Sequence, residues 1–135
     1  KTVTSKPKVI AQNYDFTIHE GKTIKMLEAL VQYTKKDASL NDVTTNGKIR
    51  IALSIDLGAT WLTYNINTAA FEIIDILDTA AFLANGLNPT VLSTISYAAL
   101  NTLIGQSRKI RFAYIFEKPT LGDVCKLKKI RIFYN

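Results

Sequence analysis

The chain has 135 residues, is 47% hydrophobic and carries a net charge of +6, a size and balance that suit one domain with a core of its own. Its single cysteine, Cys125, excludes an intrachain disulfide and with it a small scaffold stapled by bridges. No apolar run approaches the roughly 20 residues a membrane-spanning helix needs, so membrane insertion is not expected.

In chain order, residues 1–8 are polar and contain Pro7, as a tail or linker would, and residues 9–135 are expected to form a single β domain. No signal peptide opens the chain, and a start at Lys1 is expected of a processed product or a domain cut from a longer polypeptide. Ile10, Tyr14, Phe16 and Ile18 share one parity, which predicts a strand across 9–18, followed by a turn at Glu20–Gly21–Lys22. Residues 23–36 fit helical spacing at Ile24, Leu27 and Val31 and strand alternation at Leu30 to Thr34; the β-rich surroundings favour a strand. Asn46–Gly47 is a tight-turn dipeptide.

The clearest periodicity follows in Lys48–Ile55, where Ile49, Ile51, Leu53 and Ile55 alternate with polar or small residues. One buried face and one wet face are predicted. Trp61–Tyr64 and Ala70–Ile76 read as the next two strands of an antiparallel meander. Between Asp78 and Gly105 the period changes. Ser96 is placed to cap a helix that presents Tyr97, Leu100, Leu103 and Ile104 and stops at Gly105, so one or two short helices are expected here. Two strands close the chain, 108–116 with Ile110, Phe112, Tyr114 and Phe116 on one face, and 126–134 with Ile130, Ile132 and Tyr134 on one face. The fold class is therefore mainly β, an antiparallel, jelly-roll-like β-sandwich with one or two short helices.

Charge is uneven along the chain. Residues 1–105 hold nine basic and nine acidic side chains, whereas 106–135 hold Arg108, Lys109, Arg111, Lys118, Lys126, Lys128, Lys129 and Arg131 against Glu117 and Asp123. A basic stripe can meet a polyanion. Lysines on a terminal strand also keep a sheet edge from pairing with another chain, and that reading is preferred; no nucleic-acid partner is expected.

Chemistry-bearing residues are sparse. His19 and Glu20 are the residue types of a ribonuclease acid–base pair, but adjacent positions on an extended backbone send side chains apart. A catalytic thiol at Cys125 would need a histidine, and His19 is the only one. One histidine and one cysteine cannot close a zinc site, and the acidic residues lack calcium-loop spacing, so neither a metal nor another cofactor is expected. Isolated Gly86, Gly105 and Gly122 form no phosphate loop. The chain reads as a non-enzyme.

The segment Ser54–Ile–Asp56–Leu–Gly58–Ala–Thr60–Trp61 fits the pattern S-x-D-x-G-x-T-W at every defined position. It resembles the Asp-box, the hairpin-turn motif of sialidases and of many secreted or carbohydrate-handling β proteins. Short side chains at Ser54 and Asp56 can hold backbone amides, Gly58 can take a positive φ, and Thr60 and Trp61 would resume a strand. The role is structural. Sialidase activity itself is not expected, because this length makes about three blades at ~40–45 residues each and Arg50, Arg108, Arg111 and Arg131 show no carboxylate-gripping pattern. Trp61, after the turn, and Tyr64 are the candidate ligand contacts.

From Lys48 to Phe116 the order of parts resembles modules of tail-fibre and baseplate-associated structural proteins of phages of Gram-positive bacteria. Besides the box, the parts are Gly86–Leu87–Asn88, Thr90–Val91–Leu92, a short helix ending Asn101–Thr102–Leu103, and Ile110–Arg111–Phe112–Ala113–Tyr114. The resemblance implies a non-catalytic structural or adhesion module in a virion or other extracellular assembly. Its partners would be other tail proteins or a cell-surface glycan, and fibre modules of this kind tend to be trimers. The alternative is a carbohydrate-binding module of a secreted bacterial protein.

Overall fold

A computed structural model describes residues 7–36, 38–43, 48–105, 107–117 and 124–134. It is a mainly β, sandwich-like fold of two antiparallel sheets and three short helices. The large sheet has the order β1(Lys8–Ala11)-β8(Lys109–Glu117)-β5(Lys48–Ser54)-β6(Leu62–Asn65)-β7(Ala70–Ile73), with β2(Phe16–Thr17) also on β8. The small sheet is β4(Asp42–Val43)-β3(Ile24–Lys36)-β9(Val124–Tyr134).

The expected meander β5–β6–β7 forms, with β7 stopping at Ile73 rather than running to Ile76, and β3 is a strand along its whole 13 residues. Partnership decides that ambiguous segment: β3 pairs with β9 from Ile24↔Tyr134 to Thr34↔Val124, with register shifts after Ile24 and Leu30. The expected strand over 9–18 is two short strands on β8, broken by a bend at 12–15. Lys8, placed in the tail by composition, pairs with Phe116 and opens β1. Between β7 and β8 lie α1(Thr79–Asn85), α2(Pro89–Leu92) and α3(Tyr97–Ile104), one more helix than expected. Each begins on a side-chain cap, with Asp78 accepting from Ala81 N, Asn88 from Thr90 N and Ser96 from Ala99 N. Gly105 ends α3 at φ +48°.

Both faces of the large sheet are covered. On one, Ile51, Leu53, Ile110 and Phe112 pack with Ile24 and Leu27 of β3, Ile18, and Leu87, Leu92, Ile95, Leu100 and Ile104 of the helical segment. Asn101 ties α3 to β3, accepting from Ile24 N at 3.1 Å and donating to Ile24 O at 2.8 Å, as a strand partner would. On the other face, Ala52, Ala113 and Ile115 pack under Ile74, Ile76 and Phe82, with Trp61 and Leu83 at the margin. This corrects the predicted wet face of β5. Ala52 and Ser54 are both 0% exposed, because small side chains there let α1 and residues 74–76 lie down on the sheet. Gly86 marks the approach: a Cβ on it would sit 2.5 Å from Phe82 O and 2.8 Å from Arg50 Cβ. The Asn46–Gly47 turn, the 1–6 tail, Lys118 and the side chains of Cys125, Lys126 and Lys128 lie outside the described residues.

Candidate functional site

The turn after β5 is closed by its own side chains. Ser54, buried at the end of β5, donates its hydroxyl to Asp56 Oδ1 at 2.7 Å and accepts from Gly58 N at 3.0 Å. Asp56 Oδ1 also accepts from Thr60 N at 2.8 Å. Leu57 and Gly58 both take positive φ, +63° and +86°, so two consecutive left-handed residues reverse the chain. These bonds hold the Asp56 carboxyl below the ordinary carboxylate range, the Ser54 hydroxyl being the larger cause and the Thr60 amide the next. Ser54, Asp56, Gly58 and Thr60 are thus occupied with the turn itself. β6 starts at Leu62, one residue later than expected, although Trp61 O already accepts from Ile74 N at 2.9 Å.

Beneath the turn runs Arg111, the register partner of Ser54 on β8. A Cβ on Gly58 would lie 3.4 Å from Arg111 Nη1 and 3.6 Å from Trp61 Cζ2. Arg111 grips Asp15 in two-pronged fashion, Nε to Oδ1 at 2.7 Å and Nη2 to Oδ2 at 2.9 Å, and so clips the bend between β1 and β2 to the sheet. The guanidinium holds the Asp15 carboxyl below its usual range, first by hydrogen bonding. Nothing in the sequence pattern singled out this pair, since 96 residues separate its members; only the strand order brings them together.

Trp61 lines a cleft of about 520 Å³ with Gly58, Thr60, Ile73, Asp75 and Leu77. Ile73 and Leu77 are 78% and 83% exposed, while Asp75 turns its carboxylate to Leu77 N at 2.9 Å. Tyr64, the other candidate contact, is elsewhere. Its ring meets Phe71 edge-on at 4.9 Å and packs against the larger apolar cluster, because residues 61 and 64 differ in parity and alternation sends them to opposite faces of the sheet.

A second groove, of about 590 Å³, is lined by His19, Glu20, Gly21, Gly105 and Arg108. The residues of the ribonuclease reading therefore do border one space. Arg108 Nη2 is committed to the carbonyls of His19 and Lys22, a backbone clamp that shapes this turn. Among the described residues no group of three or more His, Cys, Asp and Glu could hold a metal ion, and no helix is long and apolar enough to cross a membrane.

Comparison of the chain with protein-family models, with curated proteins and with solved structures returns no match.

Proposed function

We propose that the chain is a non-catalytic structural or adhesion module of an extracellular assembly such as a phage tail, and that the Trp61 cleft is its contact surface. The observation that supports this is the pairing of a side-chain-locked turn with aliphatic groups left in solvent around Trp61. A stiff hairpin presents Trp61, Ile73 and Leu77 without an ordering cost at the moment of contact, and exposed apolar groups clustered in this way mark surfaces that other proteins cover. The wider resemblance of residues 48–116 to tail-fibre and baseplate modules points the same way.

Carbohydrate binding is the second reading, favoured by the tryptophan itself. Sugar recognition asks for polar groups flanking an open ring face. Here the flanking side chains are mostly aliphatic, and Asp75 already serves its own turn. A glycan array probed with the parent and with Trp61→Ala separates the two readings. No retained glycan is expected; one held by the parent and lost in the variant would make the cleft a sugar site. The parent and the His19→Ala, Glu20→Ala double variant are also expected to be alike in lacking turnover of RNA and of sialosides. Turnover by the parent that the double variant lacks would overturn the non-catalytic reading.

A further inference from the structure

One end of the large sheet is β7 and one end of the small sheet is β9, and neither has a second strand partner among the described residues. Their surroundings differ. Around β7, the exposed Ile73 and Leu77 sit among the exposed carboxylates Glu72 and Asp75. Along β9, Ile130 and Ile132 pack inward; the exposed Lys129 borders a groove with Gln12, Tyr14 and Tyr114, the half-exposed Arg131 pairs with Glu28 of β3 at 3.2 Å, and Tyr134 is 45% exposed at the strand's end.

The contrast belongs to the whole chain. Residues 51–107 contain no Lys, Arg or His and carry Asp56, Glu72, Asp75 and Asp78. All 17 Lys and Arg lie outside that run, together with the other seven acidic residues. One contiguous segment is therefore net negative by four, and it folds as most of β5, as β6 and β7 at the end of the large sheet, and as the helices behind them.

We infer that the β7 edge of one copy receives the β9 edge of a second copy, head to tail. The inference rests on reading the chain as an assembly module and names the partner. Like edges oppose each other, since two β9 edges would set Lys129 and Arg131 against the same residues, and two β7 edges would do so with Glu72 and Asp75. Unlike edges match. Backbone pairing across them sets the basic face of β9 against Glu72, the acidic residue of β7 itself, with Asp75 just beyond the strand, and brings Tyr134 toward Ile73. Each copy keeps one free edge of each kind, so the contact is heterologous and yields a ring, a trimer included, or an open filament.

Light scattering on the eluting full chain tests this at about 0.1 mM protein, in about 0.05 M and about 0.5 M salt. Association above monomer is expected at the lower salt, weakened about tenfold or more at the higher. Ile73→Lys with Glu72→Lys, both at exposed positions, is expected to be monomeric, as is Lys129→Glu with Arg131→Gln. The two variants mixed in equal amounts should form dimers, because each retains the edge the other has lost. Circular dichroism melts matching the parent show that the variants fold. A parent that stays monomeric at low salt, or variants that associate as the parent does, would overturn the inference. Association of each variant alone but not of the mixture would do the same. None of these outcomes touches the non-catalytic reading, which falls only to turnover or to a glycan held at Trp61.

Discussion

The two faces of the large sheet are made from the same strands yet do different work. Among the described residues, twelve buried apolar residues gather on the face covered by the β3–β9 ribbon, α2 and α3, against six on the face covered by α1 and residues 74–76. Side-chain size explains the difference. β5 and β8 turn Ile51, Leu53, Ile110 and Phe112 to the first face, and to the second the small Ala52, Ser54 and Ala113 beside Arg111 and Ile115. Large side chains hold a second layer at sheet-packing distance, while small ones admit a helix close to the backbone and leave its margin unfilled. The margin is where Arg111, Asp15, the 54–61 turn and Trp61 sit. Apolar burial is thus concentrated on one face, while the other keeps an open margin.

The comparison breaks most visibly at Phe112, which is fully buried in the larger cluster. Phe112→Ala is expected to cost about 3–5 kcal/mol, whereas Ile73→Ala at the open margin should stay within about 0.5 kcal/mol of the parent. Urea melts of the two variants measure both. Equal losses would mean that the margin is as much a part of the core as the ribbon face.

Gly86 sharpens the same contrast on the helix side. Its φ of −62° suits any residue, so alanine there ought to gain about 0.4–1 kcal/mol by stiffening the unfolded chain. The crowding found at that position, 2.5 Å to Phe82 O and 2.7 Å to Phe82 Cδ1, predicts a loss of about 1–3 kcal/mol instead. A stabilised Gly86→Ala would show that α1 is free to slide on the sheet.

Local signals were legible and long-range ones were not. The alternation of Lys48–Ile55, the Ser96 and Gly105 boundaries of α3 and the hydrogen-bonding residues of the 54–61 turn could all be read from spacing, since each depends on neighbours within a few positions. The burial of Ala52 and Ser54 could not, because it needs α1 and residues 74–76 to arrive from elsewhere. Asp15 and Arg111 meet only through strand order. Trp61 and Tyr64 are both candidate contacts by residue type, although a parity count separates them. The basic-free run at 51–107 was open to a composition scan, but dividing the chain at residue 105 balances it against the basic excess of residues 1–50 and hides it.

Within the turn, backbone strain outranks a lost hydrogen bond. Gly58→Val places a β-branched residue at φ +86° and is expected to cost about 1–2 kcal/mol from handedness alone, with Arg111 Nη1 and Trp61 Cζ2 close to the new side chain. Asp56→Ala should cost about 1 kcal/mol, since the amide it frees at Thr60 can turn to water and the Ser54 hydroxyl is the one buried donor left without its acceptor. Thermal melts rank the pair. An Asp56→Ala loss above that of Gly58→Val would place the weight of the turn on the carboxylate.

Asp56→Asn gives the smallest effect and separates hydrogen bonding from charge. The amide oxygen can still accept from the Ser54 hydroxyl and from Thr60 N, so a loss of only a few tenths of a kcal/mol is expected at neutral pH. The Asp56 carboxyl is held below its ordinary range in the folded chain, by the Ser54 hydroxyl first, and Asp15 likewise by Arg111. A depressed folded value means that the unfolded chain takes up protons first as the solution is acidified. Both carboxylates therefore contribute stability above the unfolded value of about 3.9, and that contribution is lost as pH falls through the lower folded value. Urea melts at neutral pH and at successive steps below about pH 4 should show the parent losing stability faster than Asp56→Asn, until the two converge once Asp56 is protonated in both states. Asp15→Asn should flatten the same limb independently, as the two carboxylates share no partner. Parallel curves for parent and Asp56→Asn down to the lowest pH would mean that the turn is held by geometry with no contribution from the charge.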